Sequence, residues 1–252
     1  DYFPNAAWHY REFKAKNKEM FDDENYYVIK RSDGELLSVN FYKPKYLKLL
    51  KKIKEEEFLR LEDILKKDKY SIVDGPFGTQ LHVSDYKTEG IPVLRVKNIG
   101  INEFINKDLV YISKDKHKEL IRSRVQKGDI IIAKTGATFG KACLFPDNLF
   151  PEANITASCC KISVDPSKAN PYFIAELINS PVVHSQLERY SEKSAQPGFN
   201  MIELRKVIIP DIPLKKQNEI ADSIQTRKDL INKLELQINS ESNMIKEEID
   251  NL

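Results

Sequence analysis

Three side chains in the first half of the chain carry forked hydrogen-bonding groups of the kind that read nucleic-acid bases. The amides of Gln80 and Asn98 and the guanidinium of Arg95 can each pair two-pronged with an adenine or guanine edge in a major groove. Lys97, Lys134 and Lys141 carry a compact ammonium, which positions a phosphate without discriminating well between bases. Gln80 and His82 share one face if their stretch is extended, and Arg95 and Lys97 do the same over residues 91–98. The loop Gly136-Ala-Thr-Phe-Gly140-Lys141 adds Thr135 and Thr138 as phosphate-reaching hydroxyls, with glycines that let a backbone come close. Ser194, Gln196 and Asn200, around Pro197-Gly198, form a second polar cluster on an exposed loop. The plain alternatives are a solvated strand face for the first group and an ordinary hairpin for the glycine loop.

Competing chemistries lack their residues. The glycine loop imitates a phosphate-binding loop, but it has three residues between its glycines instead of four. Ala142 stands where a magnesium-binding hydroxyl belongs. Asn170-Pro-Tyr-Phe173 imitates an amino-methyltransferase motif, yet a helix cap followed by proline at the first helical position uses the same residues. Pro146-Asp147 and Pro210-Asp211 are not followed by the acidic-x-Lys triplet of a metal-dependent nuclease. His9, His82, His117 and His184 have no cysteine or carboxylate at ligand spacing, and no Ser/His/Asp arrangement can be argued. The expectation is therefore no catalytic set and no metal site.

Bulk composition is compatible with a binding protein without announcing one. The 252 residues suffice for one good core. Charged residues make up 31% of the chain, but the net charge is only +2. The distribution says more: residues 87–141 hold twelve Lys/Arg against six Asp/Glu, whereas residues 214–252 hold six against eight. A basic central region beside a near-neutral tail suits one face that meets phosphates and one element that meets protein. Cys143, Cys159 and Cys160 form neither a disulfide framework nor a zinc pattern. Adjacent Cys159 and Cys160 in a strand would face opposite ways, and a reducing cytoplasm is the simplest setting. No run of 18 apolar residues suggests a membrane span. The first residue is Asp1, not Met, so we expect a chain cut from a longer one.

The elements that must position these residues are short. Residues 27–29 and 36–39 flank Ser32-Asp33-Gly34-Glu35, a hairpin signal. Pro44 opens a helix that ends near Glu57, and residues 61–65 form a further helical turn. Strands are predicted over 91–96, 109–112, 129–133, 142–145, 158–164 and 207–209. Helices are predicted over 170–179 and 181–189, and an exposed loop over 191–200. The fold class is α+β, with a curved or barrel-like mixed sheet. In the tail, Ile224, Ile231, Ile238 and Ile245 recur every seven residues, a seam for a long helix packing on another helix as a coiled coil. The alternative is one amphipathic helix lying on its own domain.

Several segments together resemble the specificity subunits of type I restriction-modification systems. Asn40-Phe-Tyr-Lys-Pro-Lys-Tyr46 is similar to the family's usual lead-in. Asp74-Gly-Pro-Phe-Gly-Thr-Gln-Leu81 resembles its Asp-Gly-Pro-Phe-Gly-Ser-x-Leu opening, with Thr79 for the common Ser. Gly90-Ile-Pro-Val-Leu-Arg-Val-Lys-Asn-Ile99, Gly128-Asp-Ile-Ile-Ile-Ala-Lys-Thr-Gly136 and Pro210-Asp-Ile-Pro-Leu-Lys-Lys-Gln-Asn-Glu-Ile220 are similar to further family patterns, in the family's order.

The resemblance implies a non-catalytic target recognition domain over 40–212 and a helical spacer over 213–252; residues 1–39 match no part of the family pattern and are read as a segment of unclear structure, a candidate linker from an upstream domain. It implies double-stranded DNA as ligand, one half of a bipartite site per domain, and adenine-methylating modification subunits and a translocating nuclease subunit as partners. S-adenosylmethionine, Mg and ATP are expected only on those partners. One recognition domain and one long helix correspond to a half-subunit that dimerises through the helix, or to the specificity portion of a fused polypeptide. The rivals are a small methyltransferase or nuclease with degenerate motifs, and a coiled-coil adaptor.

Overall fold

Two five-residue strands with no solvent-exposed face organise the molecule, because each is covered on both sides. The structure, a computed structural model, describes Tyr46, residues 57–191 and residues 198–250. Its strands are β1 (Phe58–Arg60), β2 (Ile72–Asp74), β3 (Ile91–Leu94), β4 (Val110–Ile112), β5 (Arg124–Gln126), β6 (Asp129–Ala133), β7 (Ala142–Leu144), β8 (Glu152–Ile155), β9 (Cys159–Ser163) and β10 (Ile208–Pro210). Its helices are α1 (Lys114–Glu119), α2 (Pro171–Asn179), α3 (Pro181–Ser191), α4 (Met201–Arg205) and α5 (Leu214–Asp250). The predicted hairpin within 27–39 lies outside the described residues. So does the helix opened by Pro44, apart from Tyr46, which is helical and buried.

The α+β class and the long C-terminal helix are as expected, but the strands do not form one barrel-like sheet. The first sheet is antiparallel, in the order β2-β9-β6-β7. The second, β4-β3-β8-β5, is mixed, because β3 and β8 run parallel with Val93 opposite Asn154. A two-stranded antiparallel pair joins β1 to β10.

Alternation along β6 and β9 explains the layering. Ile130, Ile132, Cys160 and Ile162 face a core shared with α2, α3 and Leu204 of α4. Ile131, Ala133 and Cys159 face the opposite way, into a core shared with Leu94, Val125, Ala153 and Ile155 of the second sheet. Cys159 and Cys160 therefore sit in two different cores, as their adjacency in a strand implies. A third, smaller core of Leu81, Val93, Ile112 and Leu120 covers the outer face of the second sheet.

Buried polar residues fix this outer layer. Asn154 is fully buried, and its Nδ2 donates to the Leu120 carbonyl at 3.1 Å and to Ser123 Oγ at 3.2 Å. Its Oδ1 meets Nδ1 of the buried His117, whose Nε2 lies 3.3 Å from Glu152 Oε2. These contacts clamp α1 and the turn at Ile121–Ser123 onto β8. In the first sheet, Asp129 accepts from Lys161 Nζ at 3.1 Å, from Ser163 Oγ and from the Gln126 backbone N–H. A buried charge held in this way is compensated in place.

Among the described residues, the contacts that anchor α5 lie in its first half. Gln217 accepts the Asn170 N–H at 3.0 Å and donates to the Ile212 carbonyl at 2.7 Å. Ala221 is buried, and Lys228 pairs with Glu176 of α2 at 2.7 Å. At 1.5 Å per residue the helix extends roughly 55 Å, and beyond Lys228 it makes no hydrogen bond or ion pair with described residues outside the helix. Asn170 caps α2 by accepting the Phe173 N–H, with Pro171 at the first helical position, which accounts for the Asn-Pro-Tyr-Phe sequence without catalysis.

Candidate functional site

The ends of six strands converge at one pole of the two packed sheets. The parallel pair places Leu94 beside Ile155, and the Thr156 N–H donates to the Leu94 carbonyl at 3.1 Å. In the first sheet Ala133 lies opposite Cys159, and the Lys134 N–H donates to the Ser158 carbonyl at 2.8 Å. The Gly75 N–H donates to the Cys159 carbonyl at 3.0 Å. The segments that follow β2, β3 and β6, the turn before β5 and the turn between β8 and β9 therefore share one surface. Thr138 Oγ1 donates to the Val96 carbonyl at 3.0 Å, tying the β6–β7 loop to the segment after β3. Thr135 forms a backbone bridge with Gly198, which brings the segment from Gly198 to Asn200 to the same pole.

Most of the predicted residues meet here, but not in the conformations expected. Gln80 and His82 do not lie on an extended strand. Residues 77–80 form a turn closed by the Gln80 N–H on the Phe77 carbonyl at 2.8 Å, followed by a 3-10 turn at Val83–Asp85. The His82 N–H donates to Asp85 Oδ2 at 2.8 Å, and this bond holds the Asp85 carboxyl below its ordinary value. Both Gln80 and His82 are exposed.

The strand predicted over 91–96 ends at Leu94, and a 3-10 turn occupies Val96–Asn98. Arg95 and Lys97 consequently do not share a strand face. Arg95 donates from Nη2 to the Asp108 carbonyl, and its Nε is buried with no hydrogen-bond partner. Lys97 Nζ lies 3.0 Å from Asp108 Oδ2, and this pair holds the Asp108 carboxyl below its ordinary value.

Asn98 requires correction as a base reader. It is fully buried. Its Oδ1 accepts the Arg95 backbone N–H at 3.0 Å, and its Nδ2 donates to the carbonyls of Ile105 and Lys107 at 3.0 and 2.9 Å. An amide whose donors and acceptor are already used inside the protein has nothing to offer a base edge. Lys134 is corrected in the same way as a phosphate ligand. Its Nζ sits 3.3 Å from Asp74 Oδ2 and its side chain is only 15% exposed. Asn200 is exposed but spends its Oδ1 on the Glu203 N–H at 3.0 Å, as the cap of α4. Ser194 and Gln196 lie outside the described residues.

The glycine-rich loop is a hairpin between antiparallel strands, closed by the Gly140 N–H on the Ala133 carbonyl at 2.8 Å. A phosphate-binding loop leads from strand to helix, so that imitation ends here. Gly140 has a φ of +78°, and a Cβ there would meet the His184 ring at 2.6 Å. Its glycine thus answers to His184, not to a ligand. Thr135 and Lys141 are half-buried on this hairpin.

The sequence did not single out Asp74 and Arg122 as a unit. Asp74 Oδ1 accepts from Arg122 Nη2 at 2.6 Å while its Oδ2 faces Lys134. Asp74 belongs to a quoted motif, but Arg122 stands in no pattern that would mark it. Among the described residues no group of three or more His, Cys, Asp or Glu could hold a metal ion. No helix among them is long and apolar enough to cross a membrane. The predicted seam positions lie on α5: Ile224 is half-buried near the domain, and Ile231, Ile238 and Ile245 are exposed.

Comparison with known proteins fits this arrangement. Residues 53–241 match the family described as the type I restriction modification DNA specificity domain. The type I restriction enzyme EcoBI specificity subunit of Escherichia coli is 26% identical over 152 residues, 60% of this chain and 31% of that protein. A chain from a study of complex assembly and conformational transition of the type I R-M system superposes with a TM-score of 0.53 at 15% identity, over 71% of this chain and 39% of its own. The type IIG restriction endonuclease BpuSI superposes with a TM-score of 0.52 at 10% identity, over 75% of this chain and 28% of its own. At these identities the two structures share the fold alone, and the chain spans less than half the length of each relative. Because the family match covers most of its length, the chain belongs to the type I restriction modification DNA specificity domain family.

Proposed function

We propose that this chain reads a sequence in double-stranded DNA and performs no catalysis itself. Residues 40–212 act as one target recognition domain and residues 213–252 as a helical spacer. The reading is supported by the convergence at one pole of two packed sheets of the segments that follow β2, β3 and β6, which carry Gln80, Arg95, Lys97, Thr135 and Lys141. Side chains mounted on paired strands and short capped turns hold their geometry better than side chains on long loops. Arg95 and Gln80 carry the forked groups that distinguish base pairs, Lys97 and Lys141 carry charges for phosphate, and His82 and Thr135 flank them. Asn200 follows Gly198, which bridges to Thr135.

A single such domain addresses one half of a bipartite site. It directs an adenine methyltransferase subunit, and through it a restriction and translocase subunit, to that half. The exposed apolar line on α5 supplies the docking element, for those partners or for a second copy of the chain. S-adenosylmethionine, Mg and ATP act on the partners, in the cytoplasm. Affinity dominated by phosphate contacts falls along a straight line when its logarithm is plotted against that of salt concentration. Titrating the full chain against a mixed-sequence duplex at increasing salt tests this, and a flat response would remove the DNA reading. Incubation with DNA and labelled S-adenosylmethionine tests the enzyme alternative, since the chain alone should transfer no methyl group.

A further inference from the structure

We infer that Arg122 is a DNA-contacting cation of the recognition surface, positioned by Asp74, with Lys134 serving as the inner counter-charge; this rests on the DNA-reading function proposed above. The carboxylate of Asp74 is shared by two cations from different parts of the fold. Arg122 comes from the turn before β5 and Lys134 from the end of β6. Two positive charges on one carboxylate leave a surplus of one. The surplus sits on the outer partner, because Arg122 is 46% exposed while Lys134 is 15% exposed. Arg122 is also the chemically better suited of the two. One arm of its planar fork is anchored at 2.6 Å, which fixes the plane of the group, and its other donors keep the geometry that suits phosphate or guanine.

The mounting on both sides is rigid. Asp74 pairs with Cys160 on the buried strand β9. Arg122 precedes Ser123, whose hydroxyl is held by Asn154 Nδ2 and by the Leu120 carbonyl. The register places Arg122 at the shared pole. Arg124 lies opposite Asn154, so the chain before it runs toward Ile155 and Thr156, beside Leu94 and Arg95. Here the acid is shielded at 16% exposure and the guanidinium is not.

The test is salt-dependent binding of the full chain to one mixed-sequence 20-bp duplex, comparing wild type with Arg122→Gln, Lys134→Gln and Asp74→Asn, each also followed by thermal denaturation. Arg122→Gln should weaken binding and flatten the logarithmic salt slope by about one unit, because one fewer counterion is released. Lys134→Gln should lower thermal stability and leave the slope within error of wild type. Asp74→Asn keeps both cations but frees them, so it should weaken binding without flattening the slope. If wild type binds with a clear slope that Arg122→Gln leaves unchanged, this assignment is overturned and the DNA reading survives. If Lys134→Gln flattens the slope and Arg122→Gln does not, the two roles are reversed and the assignment again fails. If wild type shows no salt-dependent binding, the DNA reading itself fails, and the assignment with it.

Discussion

Asn98 holds Arg95 in place: its buried Oδ1 accepts the Arg95 backbone N–H at 3.0 Å while its Nδ2 grips the carbonyls of Ile105 and Lys107. A residue that reads as a base contact in the sequence is therefore the strut behind one. Asn98→Ala should cost about 1–3 kcal/mol of folding stability, because buried groups lose their partners. It should also loosen Arg95. Urea denaturation checks the first effect. A variant as stable as wild type would mean that water takes over these bonds.

The opening motif contains two glycines with different duties. A Cβ on Gly75 would lie 2.2 Å from the Thr156 carbonyl oxygen and 2.7 Å from that of Ile155, both backbone atoms, whereas one on Gly78 would meet nothing within 4 Å. Gly75→Ala should lower stability by at least about 1–3 kcal/mol, since β2 and β8 must part to admit it. Gly78→Ala should stay within about 0.5 kcal/mol of wild type. Thermal melts of the two variants side by side decide this, and equal melts would contradict the close approach.

Burial pushes the thiols of Cys143 and Cys159 up to about 12 and raises that of Cys160 as well. A group whose folded value is raised stabilises fully below its unfolded value. That contribution is lost as pH climbs from the ordinary thiol value of 9.0 toward about 12. Stability should therefore fall across this window by up to about 1.4 kcal/mol per pH unit for each thiol. The slope should be shallower in a Cys159→Ala variant, whatever its stability at neutral pH. At pH 8 the folded chain should react with a thiol reagent only as fast as it opens, and rapid labelling of all three cysteines would contradict their burial.

Truncation tests the tail, and the structure sets where to cut. Ending the chain at Asn218 would remove Ala221 and the Lys228–Glu176 pair and so damage the domain. Ending it after Asp229 removes Ile231, Ile238 and Ile245 and leaves those contacts intact. The shortened chain should sediment as a monomer under conditions where the intact chain associates. The same mass state for both would show that these isoleucines do not form the contact between copies.

Elements with strong local signals were legible in the sequence. The Asn170-Pro171 start of α2, the apolar runs of β6 and β9 and the long helix α5 that carries the heptad line all formed as their patterns require. The losses have specific causes. β5 and β8 are three or four residues long and contain Arg124, Gln126, Glu152 and Asn154. No apolar alternation marks them, and Asn154 is buried only because His117 and Ser123 meet it from distant positions. The extended readings around His82 and Arg95 failed to local competition. In each case an acceptor three residues on, Asp85 or Asn98, takes the backbone N–H and starts a 3-10 turn. The Asp74–Arg122–Lys134 cluster spans residues far apart in the chain and needs the register of three strands, which composition and spacing do not encode.

Sequence-specific recognition is the central claim, and selection from a random pool of DNA duplexes, with a methyltransferase partner present, tests it most directly. We expect enrichment of one short motif within a few rounds. We also expect Arg95→Ala to lose about 1–3 kcal/mol on that motif and little on scrambled duplex. A pool that stays random after repeated selection, with salt-sensitive binding intact, would contradict the account.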